Sequence, residues 1–224
     1  MAKGVVYRTS ALVPDPDDLA LLEGLGTHHV IDLRTEREIA AKPDVLPAAA
    51  QYVNVDILST SIVTDIEQFV SLADVGRARE EMISTYGSFV DGEAQRRAFG
   101  RVFRTIADAD GPAIVHCAAG KDRTGWTAAV LQLLAGVSAE DVMADYLLTN
   151  ERSGDYIRSI TDLVAADMPE IAEVCELLLR VEEAWLANAL EAMTTRYGHP
   201  ERYLVEGTGL EQSTVEELAA KMRG

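Results

Sequence analysis

The segment HCAAGKDRTG, residues 116–125, contains the residue types of this chain best suited to chemistry. Its cysteine, Cys117, can act as a nucleophile once the thiol is ionised, and nearby cations or a helix N-terminus favour the thiolate. Arg123 follows six residues later, so its planar guanidinium can reach back to bind a tetrahedral oxyanion. The small residues between them, Ala118, Ala119 and Gly120, allow successive backbone N–H groups to turn toward the same anion. The segment therefore predicts a phosphate-binding loop with a nucleophile at its base.

The sequence on either side of this segment indicates a strand, a loop and a helix. Ala113–His116 is a short apolar run typical of a buried strand, and the sequence from Thr124 onward predicts a helix that ends at Gly136. The loop would lead into the N-terminus of that helix, where the helix dipole favours an anion. An ATP- or GTP-binding loop is excluded, because that motif needs glycine at Val115 and serine or threonine at Asp122.

The remaining sequence mixes strand and helix patterns, which predicts an α/β sheet with helices on its faces. Further strands are expected at Val5–Tyr7, Val30–Leu33 and Tyr52–Val55, with a loop over 41–50. Helices are expected at Asp17–Leu25, in two segments within 62–90, at Glu93–Ala109, from Ser138 to about Asn150, along 155–190 and near the C-terminus, with YLVEG as a strand or turn. Asp32 and Arg34 are interpreted as a structural ion pair that supports the sheet. We treat residues 1–224 as one domain.

The composition fits a globular protein and argues against two classes of partner. The net charge of −17 disfavours nucleic acid and, less strongly, anionic membrane surfaces. The apolar runs are too short to span a bilayer and no signal peptide is visible, so we expect the cytoplasm, with export by another route left open. Two cysteines do not form a disulfide framework or a metal site. Cys175 is expected to be a buried apolar residue, with a redox partnership with Cys117 as the alternative.

HCAAGKDRTG resembles the signature loop of the cysteine-dependent protein tyrosine phosphatases, HCxxGxxR[ST]G, in the GKDRTG form of their atypical bacterial branch. Four further segments resemble that family's pattern in its order: YRTSAL, HHVIDLRTEREI, DYLLTNERS and YGHPERYLVEGTGL. The resemblance covers essentially the whole chain. It implies the phosphatase fold, with a central, mostly parallel sheet flanked by helices. It also suggests a helical lid at about residues 155–190, for which ordinary packing is an equal alternative.

The resemblance implies a two-step hydrolysis that needs no metal or cofactor. Cys117 would attack phosphorus and form a phosphocysteine, while Arg123 and the loop amides of residues 118–121 would stabilise the equatorial oxygens. Thr124 would donate its hydroxyl to Cys117 as the thiolate leaves, and His116 would hold the loop. The substrate would be a phosphotyrosine-containing protein or a small phosphoester, with inorganic phosphate as product.

The general acid and the role of Lys121 have more than one interpretation. Asp122, inside the loop, is the first candidate to protonate the leaving phenolate, although it could instead brace the loop by accepting backbone hydrogen bonds. Asp56, placed at the substrate site just after the third strand, is the alternative acid, and Asp65 is a more remote one. Lys121 could bind a second phosphate, as in related lipid phosphatases with a CxAGKxR loop, or it could stabilise the Cys117 thiolate.

Three functions are compatible with this loop. The first is a phosphotyrosine phosphatase that tolerates phosphoserine, phosphothreonine or small phosphoesters. The second is a phosphoinositide phosphatase that uses the same Cys-x5-Arg loop, although the net charge of −17 favours a protein substrate. The third is a phosphate-binding module without turnover, which the presence of Cys117, Arg123 and Thr124 together disfavours.

Overall fold

Four parallel strands form the sheet from which the loop leaves. A computed structural model describes residues 1–58 and 74–224 and gives β1 (Val6–Thr9), β2 (His29–Asp32), β3 (Gln51–Asn54) and β4 (Ala113–His116). The strand order is β1-β4-β2-β3, so β4 lies between β1 and β2. In the register, His116 is the partner of Thr9 on one side and of Asp32 on the other. The C-terminal ends of the strands therefore meet at one edge, where ligands of parallel sheets bind. The predicted α/β fold is confirmed.

Helices surround this sheet and follow most strands along the chain. They are α1 (Pro16–Gly24), α2 (Glu36–Ala41), α3 (Val75–Asp91), α4 (Glu93–Asp108), α5 (Asp122–Leu134), α6 (Ala139–Arg152), α7 (Gly154–Asp167), α8 (Ala172–Leu179), α9 (Glu183–Tyr197), α10 (Pro200–Arg202) and α11 (Gln212–Arg223). A 3-10 turn, Pro169–Ile171, precedes α8, and a π-helical turn, Tyr203–Gly207, follows α10. Within the described ranges, no helix combines the length and the apolar character needed to cross a bilayer.

The loop connects two deeply buried elements, β4 and α5. All four residues of β4 are buried, as expected for an inner strand of a parallel sheet. On α5, the side chains of Trp126, Val130 and Leu134 are fully excluded from solvent. The helices α3 and α9 pack along each other, and α11 packs against α4 and α5. Because both ends of the loop are anchored in the core, the core constrains where its side chains lie.

A buried network of charged side chains lies at the C-terminal edge of the sheet. Arg34, 1% exposed, donates to Asp32 through Nε (2.9 Å) and Nη2 (2.8 Å) and to Asp44 through Nη2 (2.5 Å). Tyr52 donates its hydroxyl to Asp32 Oδ2 (2.8 Å), and His116 Nε2 lies 3.3 Å from Asp44 Oδ2. The predicted ion pair between Asp32 and Arg34 is confirmed. The network connects β2, β3 and the last residue of β4.

Some elements differ from the sequence-based expectation for local reasons. The short helix α2 was not predicted, and it forms because Thr35 and Glu38 make a reciprocal capping box. The region 155–190, predicted to be helical, is divided into separate helices, because α7 ends at Asp167 and Pro169 starts a 3-10 turn before α8. The YLVEG segment, for which the sequence predicts a strand or turn, is helical. Its π-helical residues continue the short helix that begins at Pro200.

Two further expectations have mixed outcomes. Of the two helices predicted within 62–90, the described part contains one, α3, and residues 62–73 lie outside the described residues. Cys175, which the sequence predicts to be a buried apolar residue, is instead partly exposed on α8. Both Cys117 and Cys175 are free thiols.

Replacing Arg34 by Met tests the contribution of the buried network to stability. The substitution leaves the Asp32 and Asp44 carboxylates buried without their cation. We expect the free energy of unfolding, measured by urea denaturation near neutral pH, to fall by about 3–5 kcal/mol, the usual cost of removing one partner of a buried ion pair.

The matched control is Arg97→Met on α4. Arg97 pairs with Glu93, and the two side chains are 77% and 68% exposed. Removing this pair should change the free energy of unfolding by less than about 1 kcal/mol. Similar losses for the two variants would show that the buried network contributes no more than a surface pair.

Candidate active site

The loop places a thiol at the end of β4 and an uncapped helix N-terminus after it. Cys117 follows β4 directly and is 2% exposed, whereas Ala118 and Ala119 are exposed. Helix α5 begins at Asp122, and Lys121 before it makes no side-chain capping bond. The first N–H groups of a helix have no partner inside the helix, and among the described residues no capping side chain takes them. An anion beside Cys117 would therefore meet free donors and the positive end of the helix dipole.

The chain after β1 packs against this loop so closely that one loop position requires glycine. Gly120 has φ +68°, and a Cβ at this position would lie 2.5 Å from the carbonyl oxygen of Thr9. The backbone N–H of Ala11 donates to the Ala118 carbonyl (3.2 Å), and Arg8 Nη2 donates to the Gly120 carbonyl (3.1 Å). These contacts fix the loop backbone from the β1 side.

Arg123 lies in the first turn of α5, and Glu38 of α2 holds its guanidinium in one plane. Nη1 and Nη2 donate to the two carboxylate oxygens at 2.8 and 2.7 Å, and Nη1 also donates to the Leu33 carbonyl at 3.2 Å. Glu38 is fixed in turn, because its Oε2 accepts the backbone N–H (2.9 Å) and the hydroxyl (3.1 Å) of Thr35. One edge of the guanidinium is thus occupied, which determines where its other N–H groups point.

The combined charge and hydrogen-bond interactions of Arg123 and Glu38 outweigh the effect of burial on their pKa values. Burial is the largest effect on each side chain and disfavours its charged form. Even so, the negative charges of Cys117 and Glu38 raise the pKa of Arg123 above its ordinary value. The hydrogen bonds and charge of Arg123 hold the pKa of Glu38 below its ordinary value. Both groups therefore stay charged at neutral pH, and the site keeps a fixed cation.

Asp122, the first residue of α5, contacts a cation and a phenol. Its Oδ2 lies 2.6 Å from Lys121 Nζ, and its Oδ1 accepts a hydrogen bond from the Tyr86 hydroxyl at 2.9 Å. Lys121 is 7% exposed, and its Nζ lies 5.6 Å from the ring centre of Trp185. These two contacts of Asp122 are made with side chains. A carboxylate that braced the loop would instead accept hydrogen bonds from backbone N–H groups.

The side chains of Thr124 and His116 are buried on either side of the loop. The Thr124 hydroxyl has no hydrogen-bond partner among the described residues, so it is not bonded to Cys117 here. The His116 ring is fully buried, with Nδ1 3.8 Å from Asp32 Oδ1 and Nε2 3.3 Å from Asp44 Oδ2. His116 thus belongs to the network of buried charges at the sheet edge.

The same network contains a set of potential metal ligands. Asp32, Asp44 and His116 offer ligand atoms that lie within 4.8 Å of one another. The Arg34 guanidinium already binds both carboxylates, however, and supplies the charge that a cation would otherwise provide. We therefore interpret the group as an ion-pair network.

Asp56, the alternative acid, lies away from the loop in the topology of the sheet. It follows β3, and β3 is separated from β4 by β2. Its Oδ1 accepts the backbone N–H of Leu58 at 2.9 Å. Asp65 lies outside the described residues. Of the two described candidates, Asp122 is the one that belongs to the strand-loop-helix unit of Cys117.

The polar side chains of the DYLLTNERS segment, which begins in α6, contact residues that support the loop. Asp145 and Thr149 receive hydrogen bonds from Arg8 at 3.4 and 2.9 Å. The Tyr146 hydroxyl lies 2.7 Å from the Tyr86 hydroxyl. These residues, with Glu38, are parts of the site that sequence reasoning missed. The Thr35-x-x-Glu38 pattern does signal a capping box, but a local pattern cannot reveal the distant partner Arg123.

Comparison with known proteins identifies the family of this chain. The sequence profile of the tyrosine phosphatase family matches residues 1–224. The chain is similar to the triple specificity protein phosphatase PtpB of Mycobacterium tuberculosis, with 28% identity over 254 residues, 99% of this chain and 91% of that protein. It is also similar to a Cupriavidus necator protein named "putative tyrosine-protein phosphatase" (28% over 204 residues, 90% and 73%). A tyrosine-protein phosphatase of Nostoc commune is 33% identical over 136 residues, 59% of this chain and 43% of that protein.

The Glu38→Gln variant tests the pair with Arg123 through its pH dependence. Because the pKa of Glu38 is lowered by folding, the pair stabilises the protein above the unfolded-state value of about 4.3, and this stabilisation is lost as the pH falls through the folded-state pKa. We expect wild type to be more stable than Glu38→Gln at neutral pH, with the difference shrinking in increasingly acidic buffer. Urea denaturation across a pH series measures it.

The control is Glu36→Gln, which removes an exposed carboxylate from the same first turn of α2. Its difference from wild type should be small over the whole series. A Glu38→Gln difference that stays constant with pH would mean that the charge of Glu38 does not stabilise the fold.

Proposed function

Because the chain belongs to the tyrosine phosphatase family, we propose that it hydrolyses phosphotyrosine monoesters through a phosphocysteine formed on Cys117. The family and the named relatives identify a phosphatase. The observation that carries the proposal is the placement of Cys117 directly after β4 and of Arg123 in the first turn of α5, the two elements that the loop connects. Glu38 orients the guanidinium and leaves its other N–H groups for a phosphate.

In the first step, the Cys117 thiolate attacks phosphorus and forms the S–P bond while the P–O bond to the leaving group breaks. Arg123 and the backbone N–H groups of residues 118–121 stabilise the three equatorial oxygens as their charge rearranges. Asp122 donates a proton to the leaving oxygen, which departs as a neutral alcohol or phenol. The enzyme is left with a phosphocysteine and an Asp122 carboxylate.

In the second step, water attacks the phosphocysteine and Asp122 takes a proton from that water. The products are inorganic phosphate and the Cys117 thiolate. Thr124 donates its hydroxyl to the departing sulfur, a role supported by its buried and otherwise unpartnered Oγ1. His116 holds the end of β4 through its contacts with Asp32 and Asp44 and acts as a positioning residue.

For the substrate we propose phosphotyrosine proteins or small aryl phosphates, with phosphoserine and phosphothreonine as further substrates. PtpB of M. tuberculosis is named for triple specificity, and the extension beyond phosphotyrosine follows that relative. The contacts of Lys121 favour a monoester over a phosphoinositide, because its Nζ is already paired with Asp122 and would have to leave it to bind a second phosphate. The net charge of −17 also favours a protein substrate over a membrane surface or nucleic acid.

We also propose that the segment predicted as a lid, residues 155–190, limits access to the loop. Its C-terminal part is attached close to the site. The Asn150 side chain exchanges two hydrogen bonds of 2.8 Å with the Val181 backbone, and Arg79 pairs with Glu182 at 2.8 Å. Trp185 then covers Lys121. These contacts support a lid whose base is fixed beside the phosphate loop.

Hydrolysis of p-nitrophenyl phosphate in the presence of EDTA tests the proposed function. We expect wild type to turn over and Cys117→Ser to lose at least about 1,000-fold in kcat, because the nucleophile is removed. Cys175→Ser is the matched control, since it removes the chain's other thiol, on α8, and should keep the wild-type rate.

Phosphotyrosine peptides, phosphoserine peptides and phosphoinositides are then compared by kcat/KM. Preference for the phosphotyrosine peptide supports the proposed substrate, and preference for the lipid supports the alternative. An inactive wild type, or a Cys117→Ser variant as active as wild type, would contradict the mechanism.

A further inference from the structure

Two buried tyrosines form a chain of hydroxyl groups that ends at Asp122. Tyr86 on α3 is 0% exposed and Tyr146 on α6 is 1% exposed. Their hydroxyl oxygens are 2.7 Å apart, and the Tyr86 hydroxyl lies 2.9 Å from Asp122 Oδ1. This series of hydrogen-bonded hydroxyl groups therefore runs from α6 through α3 to the first residue of α5.

The chemistry of these groups determines which hydroxyl donates each hydrogen bond. An ionised carboxylate only accepts hydrogen bonds, so Tyr86 donates its proton to Asp122 Oδ1. The Tyr86 oxygen can then accept the proton of Tyr146. Burial, followed by the charge of Asp122, raises the pKa of both phenols above the ordinary range, so they remain protonated donors. The two tyrosines thus stabilise one defined oxygen of Asp122.

Packing prevents the phenols from adopting other positions. The Tyr86 ring packs against Phe89 and Trp185, with ring centres 5.2 and 6.2 Å apart. The Tyr146 ring approaches α5 so closely that a Cβ on Gly125 would lie 3.3 Å from two of its carbons. Phenylalanine at either position would pack almost as well. A buried hydroxyl costs stability unless it is hydrogen-bonded, and both hydroxyls meet this condition only through each other and Asp122 among the described residues.

We propose that Tyr86, supported by Tyr146, is a positioning residue for the general acid: it fixes Oδ1 of Asp122 and leaves Oδ2 as the oxygen that carries the transferred proton. This inference rests on the proposed function, in which Asp122 is the acid. Oδ2 lies 2.6 Å from Lys121 Nζ, and a protonated Oδ2 can still accept this hydrogen bond through its remaining lone pairs while it donates its own proton to the leaving oxygen. The proton passes from Oδ2 to the leaving oxygen as the P–O bond breaks. Tyr86 and Tyr146 keep their own protons throughout.

A comparison of two leaving groups separates positioning of the acid from general support of the fold. Phenyl phosphate has a basic leaving group that needs a proton, whereas dinitrophenyl phosphate has a leaving group that departs without one. We expect Tyr86→Phe to reduce kcat/KM, which reports the steps up to departure of the leaving group, about 10- to 100-fold with phenyl phosphate and less than about 3-fold with dinitrophenyl phosphate. Asp122→Asn, measured in parallel, should show the same pattern with a larger loss.

Tyr203→Phe is the matched control. Tyr203 is also 0% exposed, and its hydroxyl donates to the Phe89 carbonyl (3.0 Å) and receives a hydrogen bond from Trp126 (3.3 Å), away from Asp122. Its removal should lower the melting temperature as Tyr86→Phe does, but without any leaving-group dependence. Tyr146→Phe keeps the Tyr86 hydroxyl, so its loss of activity with phenyl phosphate should be smaller than that of Tyr86→Phe. It provides the test of the inference if Tyr86→Phe does not fold.

The leaving-group dependence of these variants shows whether the positioning role of Tyr86 or the acid role of Asp122 fails. If Asp122→Asn depends on the leaving group but neither Tyr86→Phe nor Tyr146→Phe does, the positioning role is wrong and the acid assignment stands. If Asp122→Asn shows no such dependence, the acid assignment fails and the positioning role fails with it. An inactive wild type would instead overturn the proposed function itself.

Discussion

The bidentate ion pair between Arg123 and Glu38 is the interaction on which the rest of the site depends. A guanidinium bonded along one edge to a carboxylate presents its other N–H groups in a fixed direction, which is the condition for binding a tetrahedral anion without reorganisation. Glu38 is fixed by the capping box of α2, and α2 follows β2, the neighbour of the strand that precedes Cys117. The positions of the proposed nucleophile, Cys117, and of the Arg123 cation are thus set by adjacent parallel strands, and the helix dipole of α5 acts on the same point.

The site gathers basic side chains within a strongly acidic protein, and each of the four described here has a carboxylate partner. The pairs are Arg8 with Asp145, Arg34 with Asp32 and Asp44, Lys121 with Asp122, and Arg123 with Glu38. With a net charge of −17, the chain does not attract anions over long distances. Binding of a phosphoester must therefore come from short-range contacts with the guanidinium, the loop amides and the helix N-terminus. This arrangement favours recognition by geometry over electrostatic steering.

The sequence was informative where one local segment contains the whole pattern. Ala113–His116, the loop and α5 could be read directly, because a buried apolar run, small residues and a helical stripe follow one another along the chain. Glu38, Arg8 and Tyr86 could not be assigned to the site in this way, because each meets the loop only after the sheet and helices have packed. The same limit applies to residues 155–190. Their apolar spacing predicts helices, but the points where the helices end depend on Pro169 and on the hydrogen bond between Asn150 and Val181. Local patterns predict elements, whereas long-range ion pairs position the candidate catalytic groups.

The most direct test of this account is to identify the phosphorylated residue during turnover. Wild type is mixed with p-nitrophenyl phosphate, denatured within a single turnover and digested, and the peptides are analysed by mass spectrometry. The account predicts that the peptide containing Cys117 gains the mass of one phosphoryl group on sulfur and that the corresponding peptide of Cys117→Ser does not. A phosphoryl group on another side chain, or rapid turnover without any phosphorylated peptide, would contradict the assignment of Cys117 as the nucleophile.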